Sequence, residues 1–185
     1  MRVVAGSARG RRLVAPIGSV VRPTSDRVRE ATFNALSSLG AIQGATVLDL
    51  FSGSGALGIE ALSRGAAAAT FVDHHRPSID ATRANLTSCD LLDRSRIVHA
   101  DALDHLRRPE GRVDLALLDP PYAFEDWAAL LERLDAAIVV IESNRPIDLG
   151  ERWDVRRERR YGDTVVVIAS RVELRPAPDP QESDQ

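Results

Sequence analysis

Lysine is absent from these 185 residues, so every basic side chain is an arginine. The only cysteine, Cys89, excludes a disulfide framework and any metal site built from several cysteines. In its Leu, Ala and Asp surroundings it reads as an inert helix residue. No apolar run approaches membrane-spanning length, and the start MRVVAGSARGRR lacks the apolar centre of a secretory signal. The expected setting is therefore the cytoplasm, away from membranes. His74, His75, His99 and His105 show no metal-ligand spacing, and no nucleophilic serine or cysteine motif is present. Zinc and covalent hydrolase chemistry are disfavoured, and no metal is expected.

The length suits one domain with a core of its own. Net charge is only −3, but it is unevenly spread. Residues 1–30 hold seven arginines against Asp26 and Glu30, a surplus of five positive charges. An arginine-only repertoire is what GC-rich coding produces; clustering at one end is what an anionic polymer binds.

Val47 to Gly58, VLDLFSGSGALG, organises the rest. Val47-Leu48-Asp49-Leu50 is a short apolar run of the kind buried on both faces of a sheet. Gly53-Ser54-Gly55-Ala56-Leu57-Gly58 then forms a G-x-G-x-x-G turn opening a helical segment. Glycines there let the backbone turn sharply and approach a ligand, with helix N-terminal amides aimed at it. Asp73 follows about 20 residues on, at the end of the apolar run Ala68–Val72, where a ribose-binding acid belongs. The pattern predicts nucleoside binding.

Before this loop, Arg2-Val3-Val4-Ala5 and Arg11-Arg12-Leu13-Val14-Ala15 flank a turn-like Gly6–Gly10 and predict a hairpin. Its arginines suit phosphates; a solubilising edge is the alternative. Ser25 or Asp26 can cap a helix with Val28, Ala31, Thr32, Ala35 and Leu36 on one face, Arg27 and Glu30 on the other.

After the loop the pattern predicts helices over Ala56–Arg64, Pro77–Asp90 and Leu103–Arg108, and strands over Ala68–Val72 and Ser95–Ala100. Strands one to three end on Asp49, Asp73 and Asp101. In an open parallel sheet such ends line the ligand crevice, although Asp101 equally suits a helix cap. A fourth strand, Val113–Leu118, runs into Asp119-Pro120-Pro121-Tyr122. The prolines hold the backbone extended and remove two amide hydrogens, leaving nearby carbonyls to accept from a ligand. Asp119 and the Pro120 carbonyl can both accept from one exocyclic amine, and Tyr122 offers a face for an unstacked base. Two acceptors orient the amine lone pair outward and favour its developing positive charge. A helix over Glu125–Leu134 and strands over Ala136–Ile141, Arg152–Arg160 and Thr164–Val172 complete the pattern. Arg156, Arg157, Arg159 and Arg160 read as a solvated edge guarding against aggregation, with a phosphate contact as the alternative. The tail from Pro176 reads as disordered.

With both stretches placed, the chain resembles class I methyltransferases dependent on S-adenosyl-L-methionine. More narrowly it resembles the RsmD family, bacterial enzymes that methylate the N2 amine of one guanine in 16S ribosomal RNA. The likeness runs from the RGRRL hairpin through RPTSDRVREATFNAL, LDLFSGSGALGIEALSRGA and DPPY to the closing strands. DPPY is shared with DNA adenine-N6 methyltransferases; RPTSDRVRE is more particular to this family.

The resemblance implies a Rossmann-like α/β fold, with a seven-stranded, mainly parallel sheet and helices on both faces. It divides the chain into a basic hairpin extension at 1–23, a methyltransferase domain at 24–175 and a tail at 176–185. It implies a cofactor site of Thr24, Asp49, Phe51, Ser52, Gly53, Ser54, Gly55, Asp73, Asp101 and Ala102. Asp119, Pro120, Pro121 and Tyr122 match the target-base site. Arg2, Arg9, Arg11, Arg12, Arg22 and Arg27 are the expected RNA contacts. The implied partner is 16S rRNA, within a 30S subunit or an assembly intermediate, met by a monomer. An adenine-N6 methyltransferase is the runner-up, but usually needs more chain to read sequence. A nicotinamide dehydrogenase has no use for Asp-Pro-Pro-Tyr, and a non-catalytic RNA-binding module leaves the strand-end acids unexplained. Glutamine methyltransferases resemble this chain but carry Asn at the position of Asp119.

Overall fold

The computed structural model describes residues 1–18, 26–108 and 111–172. The expectations for Arg22, Thr24 and the tail at 176–185 lie outside the described residues. The chain forms α1 (Asp26–Ser38), β1 (Thr46–Leu50), α2 (Ala56–Ser63), β2 (Ala68–Asp73) and α3 (Arg76–Ser88). A single 3-10 turn at Leu92–Arg94 leads into β3 (Ser95–His99), α4 (Ala102–Leu106), β4 (Val113–Leu118) and α5 (Trp127–Arg133). Three strands close the chain: β5 (Ala136–Ser143), β6 (Trp153–Tyr161) and β7 (Thr164–Arg171).

Seven strands make one sheet in the order β3-β2-β1-β4-β5-β7-β6. β1 to β5 are parallel, and β7 lies antiparallel between β5 and β6. This is the expected Rossmann-like class I methyltransferase architecture. The apolar run of β1 is explained by its two covered faces. Val47 joins a core with residues of α1, α2 and α3, whereas Leu48 and Leu50 join a second core with α4 and α5. The order reverses between β1 and β4, so the loops leaving their carboxyl ends part and open a crevice.

Two element boundaries move for reasons visible in the backbone. The predicted helix at Glu125 starts at Trp127, because Phe124 N–H donates to Pro121 and Trp127 N–H to Glu125, holding 121–126 as a loop. β5 runs past Ile141 to Ser143, since Glu142 and Ser143 pair with Val166 and Val165 of β7.

The N-terminal hairpin is reduced to one antiparallel bridge, Arg2 with Arg12. Cross-strand bonds accompany it, from Val3 N–H to Arg11 O, Gly10 N–H to Val3 O and Leu13 N–H to Met1 O, while other amides of the arm are spent on helices. Val4 and Ala5 N–H donate to the Glu60 carboxylate, Ala8 N–H to Ser63 Oγ and Val14 N–H to Asn85 Oδ1. Val3, Ala8 and Leu13 are buried in the same core as α1 to α3. On α1, Arg27 and Glu30 are exposed as expected, but Arg29 is fully buried beside Phe33. Cys89 sits just past α3, buried, with burial raising its thiol pKa. Among the described residues, no helix is long and apolar enough to cross a membrane.

Candidate active site

The turn after β1 departs from ordinary backbone at alternate residues: Phe51 (φ 62°), Gly53 (φ 55°) and Gly55 (φ 76°). Glycine meets this demand at little cost, whereas Phe51 stores strain held by its surroundings. Hydrogen bonds with β2 and α3 help fix the turn. Ser52 N–H donates to Val72 O at 3.0 Å and Gly55 N–H to Ser52 O at 2.7 Å. Thr82 Oγ1 donates to Gly53 O at 3.0 Å, and Asn85 Nδ2 to Ser54 O at 2.8 Å. Gly58 serves packing instead. A Cβ there would stand 2.4 Å from Phe71 Cε1 and 3.0 Å from Asp49 Oδ2.

Of the expected acids, Asp49 and Asp73 stand close together with Asp119, whereas Asp101 caps a helix beyond β3. Asp49 is 1% exposed, and its Oδ2 accepts from Gly58 N–H at 2.9 Å. Burial raises its pKa well above the ordinary carboxylate value; the Gly58 amide opposes this, and the nearby charges of Asp119 and Asp73 reinforce it. Asp49 therefore shapes the loop from beneath. Asp73 is 8% exposed, with Oδ2 accepting from Gly53 N–H and Oδ1 from His75 N–H, both at 2.8 Å. Each oxygen retains a second lone pair. Asp101 is exposed and caps α4, its Oδ1 accepting from Leu103 N–H at 2.8 Å and Asp104 N–H at 3.3 Å. Ala102 beside it is buried.

Across the crevice, β4 delivers a half-buried Asp119, a buried Pro120, and an exposed Pro121 and Tyr122. The two loops meet through aromatic edges. Phe51 and Phe124 have ring centroids 5.1 Å apart, and Phe124 and Trp127 5.3 Å apart. Sequence reasoning missed Arg145, whose guanidinium donates to Tyr122 O at 3.0 Å and Phe124 O at 2.9 Å. A small cavity lies here, lined in part by Pro120, Tyr122, Glu142, Asn144 and Arg145. The missed Thr82 and Asn85 were detectable only as polar residues on the inner face of α3.

The expected RNA contacts divide. Arg9, Arg12 and Arg27 are exposed. Arg2 Nη1 donates to Gly10 O, and Arg11 pairs with Asp90 at 3.3 Å. The rings of His74 and His75 are tilted at 58° with centroids 6.4 Å apart, and no group of His, Cys, Asp and Glu among the described residues is arranged to hold a metal ion.

A parallel sheet reversing at β1 and β4, with a glycine turn on one side of the crevice and Asp-Pro-Pro-Tyr on the other, defines a class I methyltransferase. The cofactor of that class is S-adenosyl-L-methionine, and the residues present fit it. Ser52 Oγ is buried in the glycine turn with no hydrogen-bond partner, and Asp73 has lone pairs to spare. The chain belongs to the RsmD family: residues 1–170 match the family model described as Conserved hypothetical protein 95. Ribosomal RNA small subunit methyltransferase D of Escherichia coli (strain K12) is 34% identical over 181 residues, covering 92% of this chain and 90% of that one. The protein of the same name from Haemophilus influenzae is 33% identical over 174 residues, covering 88% and 89%. The solved structure of yhhF from Escherichia coli superposes with a TM-score of 0.82 at 32% identity, covering 92% of this chain and 97% of that one.

Proposed function

We propose that the protein transfers a methyl group from S-adenosyl-L-methionine to the exocyclic N2 amine of one guanine in 16S ribosomal RNA. The substrate in this reading is an assembled or partly assembled 30S particle, because the arm that can grip RNA is short. The observation that carries the reading is Asp119-Pro120-Pro121-Tyr122 at the carboxyl end of β4, facing the glycine turn across the switch point. The names of the relatives, small-subunit rRNA methyltransferases, support the substrate class.

The cofactor, when bound, supplies a methyl group already activated by its sulfonium charge. The protein's task is alignment and the exclusion of water. Ser52, Gly53 and Asp73 are the cofactor contacts in this reading, with Asp49 holding the turn that presents them. The Asp119 carboxylate and the Pro120 carbonyl accept the two hydrogens of the target amine, so its lone pair faces the donor. Tyr122 stacks on the flipped base, and Arg145 fixes the carbonyl of that tyrosine.

The decisive assay is methyl transfer from labelled S-adenosyl-L-methionine to 30S particles lacking the modification, followed by nucleoside digestion. N2-methylguanosine at one site is the expected product. Label in N6-methyladenine, of the particle's RNA or of DNA offered in parallel, promotes the alternative reading, and no transfer to either substrate refutes both. Asp119→Ala is expected to lower turnover by at least a hundredfold while cofactor binding persists, as loss of a group acting mainly in the transition state does. Intact turnover removes Asp119 from the mechanism.

A further inference from the structure

β6 is one edge of the sheet, β3 being the other, and it carries Arg156, Arg157, Arg159 and Arg160. Arg156 is spent locally: it pairs with Asp154 at 3.2 Å and donates from Nε to Ser170 Oγ at 2.6 Å. Register sorts the others by face, since directly opposed residues of neighbouring strands point the same way. Arg157 opposes Ile168 and Arg159 opposes Val166, whose side chains belong to the core under α1, α2 and α3. Glu158 and Arg160 oppose Val167 and Val165, on the α4 and α5 side. The bulge between Val155 and Arg157 sets this phase, placing Arg157 and Arg159 on the α1 face; Asp154, the carboxylate of β6 on that face opposite Ser170, is paired with Arg156. Both are exposed.

Strand direction places them functionally. β7 is antiparallel to β5 and β6 is antiparallel to β7, so β6 runs with β5 and its last residues lie at the crevice end of the sheet. Three strand spacings separate β6 from β4, roughly 14 Å. Arg27, exposed in the first turn of α1, stands on the same face.

We infer that Arg157 and Arg159 form a phosphate-binding track on the β6 edge that holds RNA backbone flanking the base in the crevice. This rests on the RNA-methylating reading above. A strand edge needs few charges to deter aggregation. Two arginines on one face, at the catalytic end and with no ion pair among the described residues, do more than that: they neutralise successive phosphates of a strand passing the site.

The test compares Arg157→Ala/Arg159→Ala with Arg107→Ala/Arg133→Ala, which removes equal charge from the ends of α4 and α5 remote from the crevice. Binding to 30S particles lacking the modification is measured across a salt series. The β6 variant is expected to bind roughly tenfold more weakly at near-physiological salt, with a log–log salt slope shallower by about 1.4 to 1.8. The control variant is expected to match the wild type, and both to melt with it. Wild-type affinity and slope in the β6 variant overturn the inference while leaving the RNA reading intact. So does aggregation of that variant with an unchanged affinity in its monomeric fraction, which makes the arginines an edge guard. Failure of the wild-type protein to bind or methylate the particles refutes the RNA reading itself.

Discussion

Glu60 fastens the N-terminal arm to the methyltransferase core, and its removal has a computable cost. The side chain is 0% exposed. Its carboxylate accepts from Val4 N–H at 2.8 Å, Ala5 N–H at 3.0 Å and Arg64 Nε at 2.7 Å, and stands 3.7 Å from Arg29 Nε. That last contact is an ion pair too long for a hydrogen bond, and Arg29 Nε has no hydrogen-bond partner. Arg29 is also 0% exposed and is held by Asp26 at 2.8 Å and by Arg2 O. Glu60→Ala therefore orphans two part-buried amides, at about 1–3 kcal/mol each. It also leaves the buried guanidinium with Asp26 as its remaining carboxylate, at a fraction of the roughly 3–5 kcal/mol that breaking a buried pair outright costs. These losses overlap, and about 4 kcal/mol is the expected net, against a typical total stability of roughly 5–15 kcal/mol. At this chain length that is a drop of about 8–16 °C in melting temperature. Glu60→Gln keeps one acceptor oxygen and should lose about half as much. Urea unfolding of the cofactor-free protein measures both, and amide exchange at Val4 and Ala5 should quicken in step. A loss below about 1 kcal/mol for Glu60→Ala would refute the reasoning and make the arm an appendage.

Burial raises the folded-state pKa of Asp49, so its contribution to stability is full below the unfolded value, near 3.8, and is lost as pH rises through the folded value. Asp49→Asn should therefore gain stability relative to wild type as pH climbs from about 4 towards 8, read from urea midpoints; a flat difference denies the shift. Arg145→Met removes both bonds to the base-side loop and should lower turnover at least tenfold by loosening Tyr122, with cofactor affinity unchanged. Arg145→Lys, one point donor in place of a fork, should restore only part of it; wild-type turnover in the methionine variant would show that the loop holds itself.

Most of the fold was legible because its signals are local. An apolar run that stops at a glycine turn, recurring with acids at the ends, specifies parallel strands and crossover helices, and the observed strands agree within two residues. What failed to show was the destination of buried polar groups. Arg29 lies among polar neighbours in RPTSDRVRE with no mark of burial, yet α1 turns it inward to meet a carboxylate 31 positions away on α2. The hairpin forms at Arg2, Val3 and Arg11 to Leu13, but Glu60, Ser63 and Asn85 take the amides of Val4, Ala5, Ala8 and Val14. Neither outcome has a period or a propensity; both depend on which helix packs beside which.

The same division holds at the site, and it explains where strain accumulates. Motifs identify the two loops, because glycine and proline demands are written into single residues. The joint between the loops is not, since it is made by Phe51 against Phe124 and by Arg145 reaching back from beyond β5. Phe51 is the one position in the glycine turn where a large side chain accepts a left-handed backbone. A glycine there would relieve the strain but delete the ring that touches the base-side loop. Retaining phenylalanine therefore trades roughly 1–3 kcal/mol of backbone strain for a fixed separation between the two halves of the crevice. Methyl transfer between two held groups gains most from that rigidity, because its rate depends on the distance and angle at which donor and acceptor are presented.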